Sequence, residues 1–350
     1  APYQPWITYT VYGWKKADGT RRFNYAYIEV AKKNGKTPWM SGHALYQLIA
    51  EDEGAPQVYT AAAARDQANI CFRHAKTMAS NSEMMKPYIT VLEHSIMSKV
   101  NNGFMRPLSA EHKTMEGINV HGAIIDEYHV HPNDGVFESI KSATVARSNP
   151  LVWIITTAGF DKNGPCYNYR KMVINLLKQR VQDDSLFGII YTLDQGDKWQ
   201  DPEVWIKSNP NLGVSVKESA LQREMTNAIN QPSKLTNFLT KNMNVWTDTQ
   251  TSWIKEEDWM KCSEPIDHEE LKGCIAYGGL DLSQRRDLTA FALLFPFIDN
   301  DGEVTFKWLR KYYMPADNIK AKVDNDGVAY DQWVREGLIT ATPGNIVDYA

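Results

Sequence analysis

The chain has 350 residues, 43% hydrophobic and 23% charged, enough for two ordinary domains that each bury a core. Its formal net charge of -4 argues against a protein that coats nucleic acid with a basic face, although an acidic average leaves room for a local basic stripe. There is no run of about 18 apolar residues, no basic and apolar leader, and no CxxC pair among Cys71, Cys166, Cys262 and Cys274, so membrane insertion, secretion, a zinc ribbon and a disulfide framework are not expected; a cytosolic protein with reduced cysteines is.

From Tyr25 to about Ala158, short apolar, β-branched runs alternate with longer helical patterns, the signature of a parallel sheet covered by helices. The predicted strands are Tyr25 to Val30, Gln57 to Thr60, Gly122 to Ile125 and Leu151 to Ile155, and the predicted helices about Thr37 to Ala50, Ala61 to Ser80 and Gly164 to Gln179. The stretch from Glu218 to Asn244 is helical again. Val245 to Glu264, with Trp246, Trp253 and Trp259, reads as a linker whose tryptophans pack on the first domain, stacking on DNA bases being the weaker reading. A second domain begins near Gly273: Cys274 to Phe297 and Val304 to Tyr313 read as strands of a new sheet, with a polar turn at Gln284, Arg285 and Arg286. The expected division is therefore 1–250, a linker at 251–272, and 273–350.

Three segments carry chemistry. Val30-Ala31-Lys32-Lys33-Asn34-Gly35-Lys36-Thr37 lies where a strand gives way to a helix, the setting of a phosphate-binding loop. There Lys36 would reach the β and γ oxygens, Thr37 would ligate magnesium, and the backbone N–H groups of 32–37 would cradle the phosphates. Val30 stands where the usual loop has its first glycine, so the strict pattern fails and Gly-Lys-Thr alone is a weak signal. Gly122 to Ile125 is a small, apolar strand ending in Asp126 and Glu127, one carboxylate for the metal and one to orient and deprotonate water; a polar turn is the plain alternative. Leu151 to Ile155 ends in Thr156, Thr157, Ala158 and Gly159, hydroxyls able to sense the γ-phosphate. The three together, in this order and each at a strand end, make coincidence improbable.

These residues resemble one family, the large terminase subunits of tailed double-stranded DNA phages, over nearly the whole chain. Lys32 to Thr37 resembles its deviant phosphate loop, in which a basic residue precedes Asn-Gly-Lys-Ser/Thr and the first glycine is dispensable. Asp126-Glu127-Tyr128-His129 resembles its Asp-Glu-x-His, and Thr156-Thr157-Ala158-Gly159 its coupling motif. Pro2-Tyr3-Gln4, with Tyr12-Gly13-Trp14 and Arg21-Arg22-Phe23, is similar to its N-terminal signature, which would make Gln4 the residue that reads adenine. The resemblance implies an α/β fold: a P-loop ATPase of the ASCE type, then part of a ribonuclease H-like nuclease in which Asp281 matches the first metal-binding acid. It further implies ATP and Mg2+, with Mg2+ or Mn2+ at the nuclease; double-stranded viral DNA, the portal protein, the procapsid and the small terminase subunit as partners; a homo-oligomeric ring on the portal; and the host cytoplasm. The family's later nuclease acids are expected beyond Ala350, since one carboxylate cannot hold two metal ions.

Other residues are weighed against these. Arg147 and Arg65 are candidates for the positive group that stabilises the transferring phosphoryl, though ordinary pairing arginines are the plainer reading. His121, His129 and His131 could suggest a metal site, but hydrogen-bonding turn histidines are favoured. Asp287 reads as a solvated turn acid. Two rivals stand beside the terminase reading: a DNA-translocating or helicase-like ATPase without nuclease, and a non-catalytic structural protein that keeps a degenerate nucleotide fold.

Overall fold

The computed structural model describes residues 2–108, 117–247, 259–282, 288–298, 302–326 and 328–347. The chain divides into two compact units, Ala1–Trp253 and Ile254–Ala350.

In the first unit, eight strands form one sheet: β1 (Tyr25–Glu29), β2 (Gln57–Ala61), β3 (Ile89–Val91), β4 (Ile96–Ser98), β5 (Phe104–Pro107), β6 (Val120–Ile125), β7 (Leu151–Thr156) and β8 (Leu186–Ile190). Their order is β3-β4-β5-β2-β6-β7-β1-β8. From β5 to β8 every neighbouring pair is parallel, and β3 and β4 add an antiparallel edge. Strands β6 and β7 are buried at every position, which explains the apolar runs Gly122–Ile125 and Leu151–Ile155 within them, His121 and Thr156 being the buried polar exceptions: helices cover both faces.

Alternation along the strands divides the core in two. Ile28, Ile124 and Trp153 face α1 (Tyr3–Gly13), α2 (Lys36–Ile49) and α3 (Arg65–Asn81), through Ile7, Val11, Met40, Ala44, Leu48 and Phe72. Tyr27, Ile125, Val152 and Ile154 face α4 (Gly135–Ser142) and α5 (Pro165–Leu177), through Phe137, Ile140, Cys166 and Val173. Close approach of α2 to the sheet depends on Gly122, because a Cβ there would stand 2.6 Å from the Gln47 Oε1. A third cluster, around Trp205, Leu221, Met225 and Phe238, holds together α6 (Trp205–Ser208), α7 (Glu218–Asn230) and α8 (Pro232–Asn242).

The four strands read from the sequence are present within a residue or two. The helical stretch from Glu218 onward is two helices, because Gln231 precedes Pro232 and adopts an extended conformation (φ -133°, ψ 92°) that ends α7. Helix α3 starts at Arg65 rather than Ala61, the last residue of β2. Helix α1 has no counterpart among the predicted helices, because Trp6 and Tyr9 on it are exposed and blur its apolar stripe.

The second unit carries a four-stranded sheet, β9 (Tyr277–Asp281), β10 (Thr289–Ile298), β11 (Val304–Pro315) and β12 (Thr340–Thr342), in the order β12-β11-β10-β9. The first three pair antiparallel in sequence order, and β12 joins β11 in parallel. Trp253, Gln284, Arg285, Arg286 and Asp287 lie outside the described residues, as does the side chain of Arg65.

Candidate nucleotide site

Residues 30–35 leave the C-terminal end of β1 and turn into α2. Val30 is buried and its N–H donates to Thr156 O (3.1 Å), so the ladder to β7 continues one residue past β1. That is why no glycine is needed at this position. The turn is made later, at Lys33 (φ 68°) and Gly35 (φ 80°), both left-handed. A Cβ on Gly35 would also come within 3.2 Å of Gln4 Nε2 and 3.3 Å of Asn211 Nδ2.

Asn34 holds the loop from inside. Its amide donates to Ala31 O (3.1 Å) and Asn209 Oδ1 (2.9 Å), and its Oδ1 accepts from the Asn211 N–H (3.0 Å). Its carbonyl accepts from Tyr3 Oη and Asn211 Nδ2. Ser215 completes the brace by donating to Lys33 O. Asn209, Asn211 and Ser215 have no signature in the sequence, since a polar turn nearly two hundred positions away carries nothing that links it to a phosphate loop.

Lys36 is buried and donates to Val30 O (2.9 Å), Ala31 O (3.2 Å) and Thr157 Oγ1 (2.8 Å). Burial lowers its pKa, opposed by the charges of Glu127 and Asp126. Thr37 Oγ1 donates to Asp126 Oδ2 (3.3 Å). The loop after β1 and the acids after β6 thus meet across the end of β7, which lies between their strands.

Asp126 extends β6 by donating its N–H to Ala61 O (2.8 Å), which fixes the carboxyl at the sheet edge. Burial, reinforced by the neighbouring charge of Glu127, raises its pKa to about 6 against the pull of Lys36. Glu127 is left-handed (φ 49°) and donates its N–H back to Asp126 Oδ1 (2.8 Å). Burial pushes its pKa up, but His129, Lys36 and Lys32 together outweigh that and hold it near 2. The two acids lie within electrostatic reach of one buried lysine, and Asp126, the less stabilised of them, binds a proton more readily than an ordinary carboxylate. A divalent ion against Thr37 and Asp126 would relieve that cost, so these residues fit a metal-bound polyphosphate.

Thr156 and Thr157 are fully buried beside these groups, Thr156 accepting from the His129 N–H (3.0 Å). Gln4, on α1, packs on the loop with Nε2 donating to Gly35 O (3.4 Å). Lys32 is tied through its backbone N–H to Lys241 O (2.9 Å). Lys241, absent from the sequence reading, reaches from α8 to place Nζ 3.0 Å from His129 Nε2 and 3.2 Å from Ala158 O.

Arg147 lies away from this cluster. It bonds Glu53 (2.7 Å), Gly54 O, Ala55 O and Asn119, beside the opposite end of β6, as a pairing arginine. His121 is at that same end, 2.6 Å from Glu51 Oε2, so the three histidines do not converge; among the described residues no group of three or more His, Cys, Asp or Glu could hold a metal. Trp246 is buried against Tyr167 and donates to Glu29 Oε1 (3.2 Å), packing on its own unit as expected. Asp281, separately, ends β9 on the edge of the second sheet and is exposed.

A mainly parallel sheet with a Gly-Lys-Thr loop after β1, paired acids after β6 and β7 between them defines a P-loop nucleotide-binding fold of the ASCE class. Residues 2–174 match the family model for the terminase large subunit, ATPase domain, and residues 180–350 that for the terminase large subunit, endonuclease domain. The chain belongs to the terminase large subunit family. It is 30% identical to the terminase large subunit of Enterobacteria phage HK97 over 333 residues, covering 93% of this chain and 63% of the relative. It is 34% identical to protein YmfN of Escherichia coli K12 over 240 residues, 67% of this chain and 52% of that one. The chain thus spans between half and two thirds of these relatives. The crystal structure of the HK97 bacteriophage large terminase superposes with a TM-score of 0.62 at 28% identity, covering 100% of this chain and 70% of that one. The endonuclease match starts ahead of β8 and so includes α6 to α8, which the structure packs into the first unit.

Proposed function

We propose that this chain hydrolyses ATP to drive viral DNA into a procapsid, and that the protein to which it belongs also cuts concatemeric DNA. The observation that carries the reading is the meeting of Thr37 with Asp126, and of Lys36 with Thr157, at the C-terminal edge of one parallel sheet. In this reading Lys36 and the N–H groups of residues 32–37 bind the β and γ phosphates, with Lys32 and Lys33 adding positive charge, and Gln4 reads the adenine edge. Thr37 and Asp126 hold Mg2+, which when bound neutralises charge on the phosphate oxygens. Glu127, held ionised, accepts a proton from the attacking water and orients it in line with the γ-phosphate, while Thr156 and Thr157 register the loss of that phosphate.

Residues 1–250 form the motor, 251–272 the linker, and 273–350 the start of a ribonuclease H-like nuclease in which Asp281 binds Mg2+ or Mn2+. The partners are double-stranded DNA, the portal and procapsid and the small terminase subunit, with the subunits in a ring on the portal in the host cytoplasm. The test is steady-state ATP turnover of the chain beside Lys36→Ala and Glu127→Gln, with nucleotide binding measured in parallel. Removing the general base should lower kcat by roughly 100-fold or more with binding kept, and removing the lysine should abolish both. Equal turnover in all three proteins would sink the assignment.

A further inference from the structure

Lys241 lies at the end of α8, and its carbonyl anchors that helix to the phosphate loop through the Lys32 N–H. Its ammonium group is 3.0 Å from His129 Nε2 and 3.2 Å from Ala158 O, with the ring of Phe160 5.0 Å away. An ammonium only donates, so His129 Nε2 is the unprotonated, accepting nitrogen, and the proton of the neutral ring sits on Nδ1. Two oxygens stand 3.2 Å from Nδ1, Glu127 Oε2 and Thr156 Oγ1. The Thr156 hydroxyl gives its own hydrogen to Thr157 O (2.9 Å), so both neighbours of Nδ1 are acceptors. Only the contact with Thr156 Oγ1 has hydrogen-bond geometry; Glu127 Oε2 lies beside the same nitrogen, buried and without a hydrogen-bond partner among the described residues.

We propose that Lys241 is a positioning residue for hydrolysis: by fixing His129 as the Nδ1–H tautomer it holds the ring to Thr156 and keeps a ring lone pair from facing the buried Glu127 carboxylate 3.2 Å away, and through Ala158 O it ties that arrangement to the loop after β7. The inference rests on Glu127 being the base assigned above.

The surroundings keep both partners in the required state near neutral pH. Burial holds His129 below its ordinary pKa and therefore uncharged, helped by Lys241 and Lys36 and opposed by Glu127. Around Lys241, burial, then Lys32, and more weakly Lys36, push the pKa down to about 8, while Glu127 pushes it up. Below about pH 8 the donor is present, and above it the constraint on the ring is lost.

Side-chain 15N NMR of His129 in the nucleotide-free chain, assigned by its disappearance in His129→Gln, reads the tautomer directly. The expected result is Nδ1–H in the unaltered chain and in Lys241→Arg, and a shift toward Nε2–H in Lys241→Met. Taking the unaltered chain from pH 7 to pH 10 should make the same shift with a midpoint near 8, without any substitution. In turnover, Lys241→Met should lose roughly 10- to 100-fold in kcat, the usual cost of removing a group that orients another, with ATP affinity kept and most of the rate restored in Lys241→Arg. An unchanged tautomer in Lys241→Met and across the pH series overturns the proposal whatever the rate, and so does a switched tautomer with an unchanged kcat. Full turnover in Glu127→Gln instead removes the underlying assignment of the base, an outcome the tautomer measurement cannot produce.

Discussion

The Lys36 ammonium and the Thr157 hydroxyl are joined at 2.8 Å, and both are buried. One bond therefore connects the loop after β1 to the loop after β7. Replacing Thr157 by valine keeps the shape and removes the acceptor, leaving Lys36 with two carbonyls. A bond to a charged group contributes roughly 1.5 to 3 kcal/mol, so Thr157→Val should lose about that much stability in denaturant unfolding and Thr157→Ser far less. Equal stability of the valine variant would mean that the pair contributes nothing.

Asp126 makes a prediction about pH. Its pKa is near 6 in the folded chain against an ordinary 3.8, so folding holds a proton that the unfolded chain releases earlier. The stability it lends is present below about pH 4 and is lost as pH rises through 6, by order of 3 kcal/mol at most. Asp126→Asn should therefore raise the thermal midpoint at pH 7.5 in the absence of divalent ions, with the advantage fading toward pH 4. Added Mg2+ should stabilise the unaltered chain and leave the asparagine variant unmoved. A variant less stable at pH 7.5 would refute this balance.

Glu29, at the end of β1, is fully buried and receives bonds from Tyr27 Oη (2.6 Å), Arg170 Nε (3.1 Å) and Trp246 Nε1 (3.2 Å). Burial raises its pKa, and Arg170 is the main group that opposes the rise. Arg170→Met would leave a buried carboxylate without its cation, at a cost of roughly 3 to 5 kcal/mol. Adding Glu29→Gln removes that charge, so the double variant should unfold at a higher denaturant concentration than Arg170→Met alone. Additive losses would show the two residues to be uncoupled.

Gly122 is the contact point of α2 on β6. In Gly122→Ala the new methyl would meet Gln47 at 2.6 Å from Oε1 and 2.8 Å from Cδ, and Gln47 is anchored by its Nε2 bond to Leu151 O (3.0 Å). Overpacking of this kind costs about 1 to 3 kcal/mol. Gln47→Ala should recover part of the loss in the double variant, measured by thermal unfolding. A Gly122→Ala chain as stable as the parent would show that Gln47 moves aside freely.

The strands that carry the site were legible because burial on both faces leaves them no polar positions. Leu151 to Ile155 and Gly122 to Ile125 could be read as central strands with no partner in view. Strands β3 to β5, on one side of the sheet, were not, because three or four residues carry no period long enough to recognise. Local chemistry likewise marked Lys36, Thr37, Asp126 and Glu127 as candidates, because each stands in a short run of residues at a strand end.

What the sequence by itself determined is the set of chemical groups and the strand ends that present them. Only the tertiary structure decided which groups touch: that Asn209 and Asn211 brace Asn34, that Lys241 reaches His129, and that Arg147 is spent on Glu53 at the far end of β6. Hydrogen bonds between residues 94 to 177 positions apart depend on strand order and helix placement. Neither is encoded in any short stretch of chain; both are set by which apolar faces bury one another.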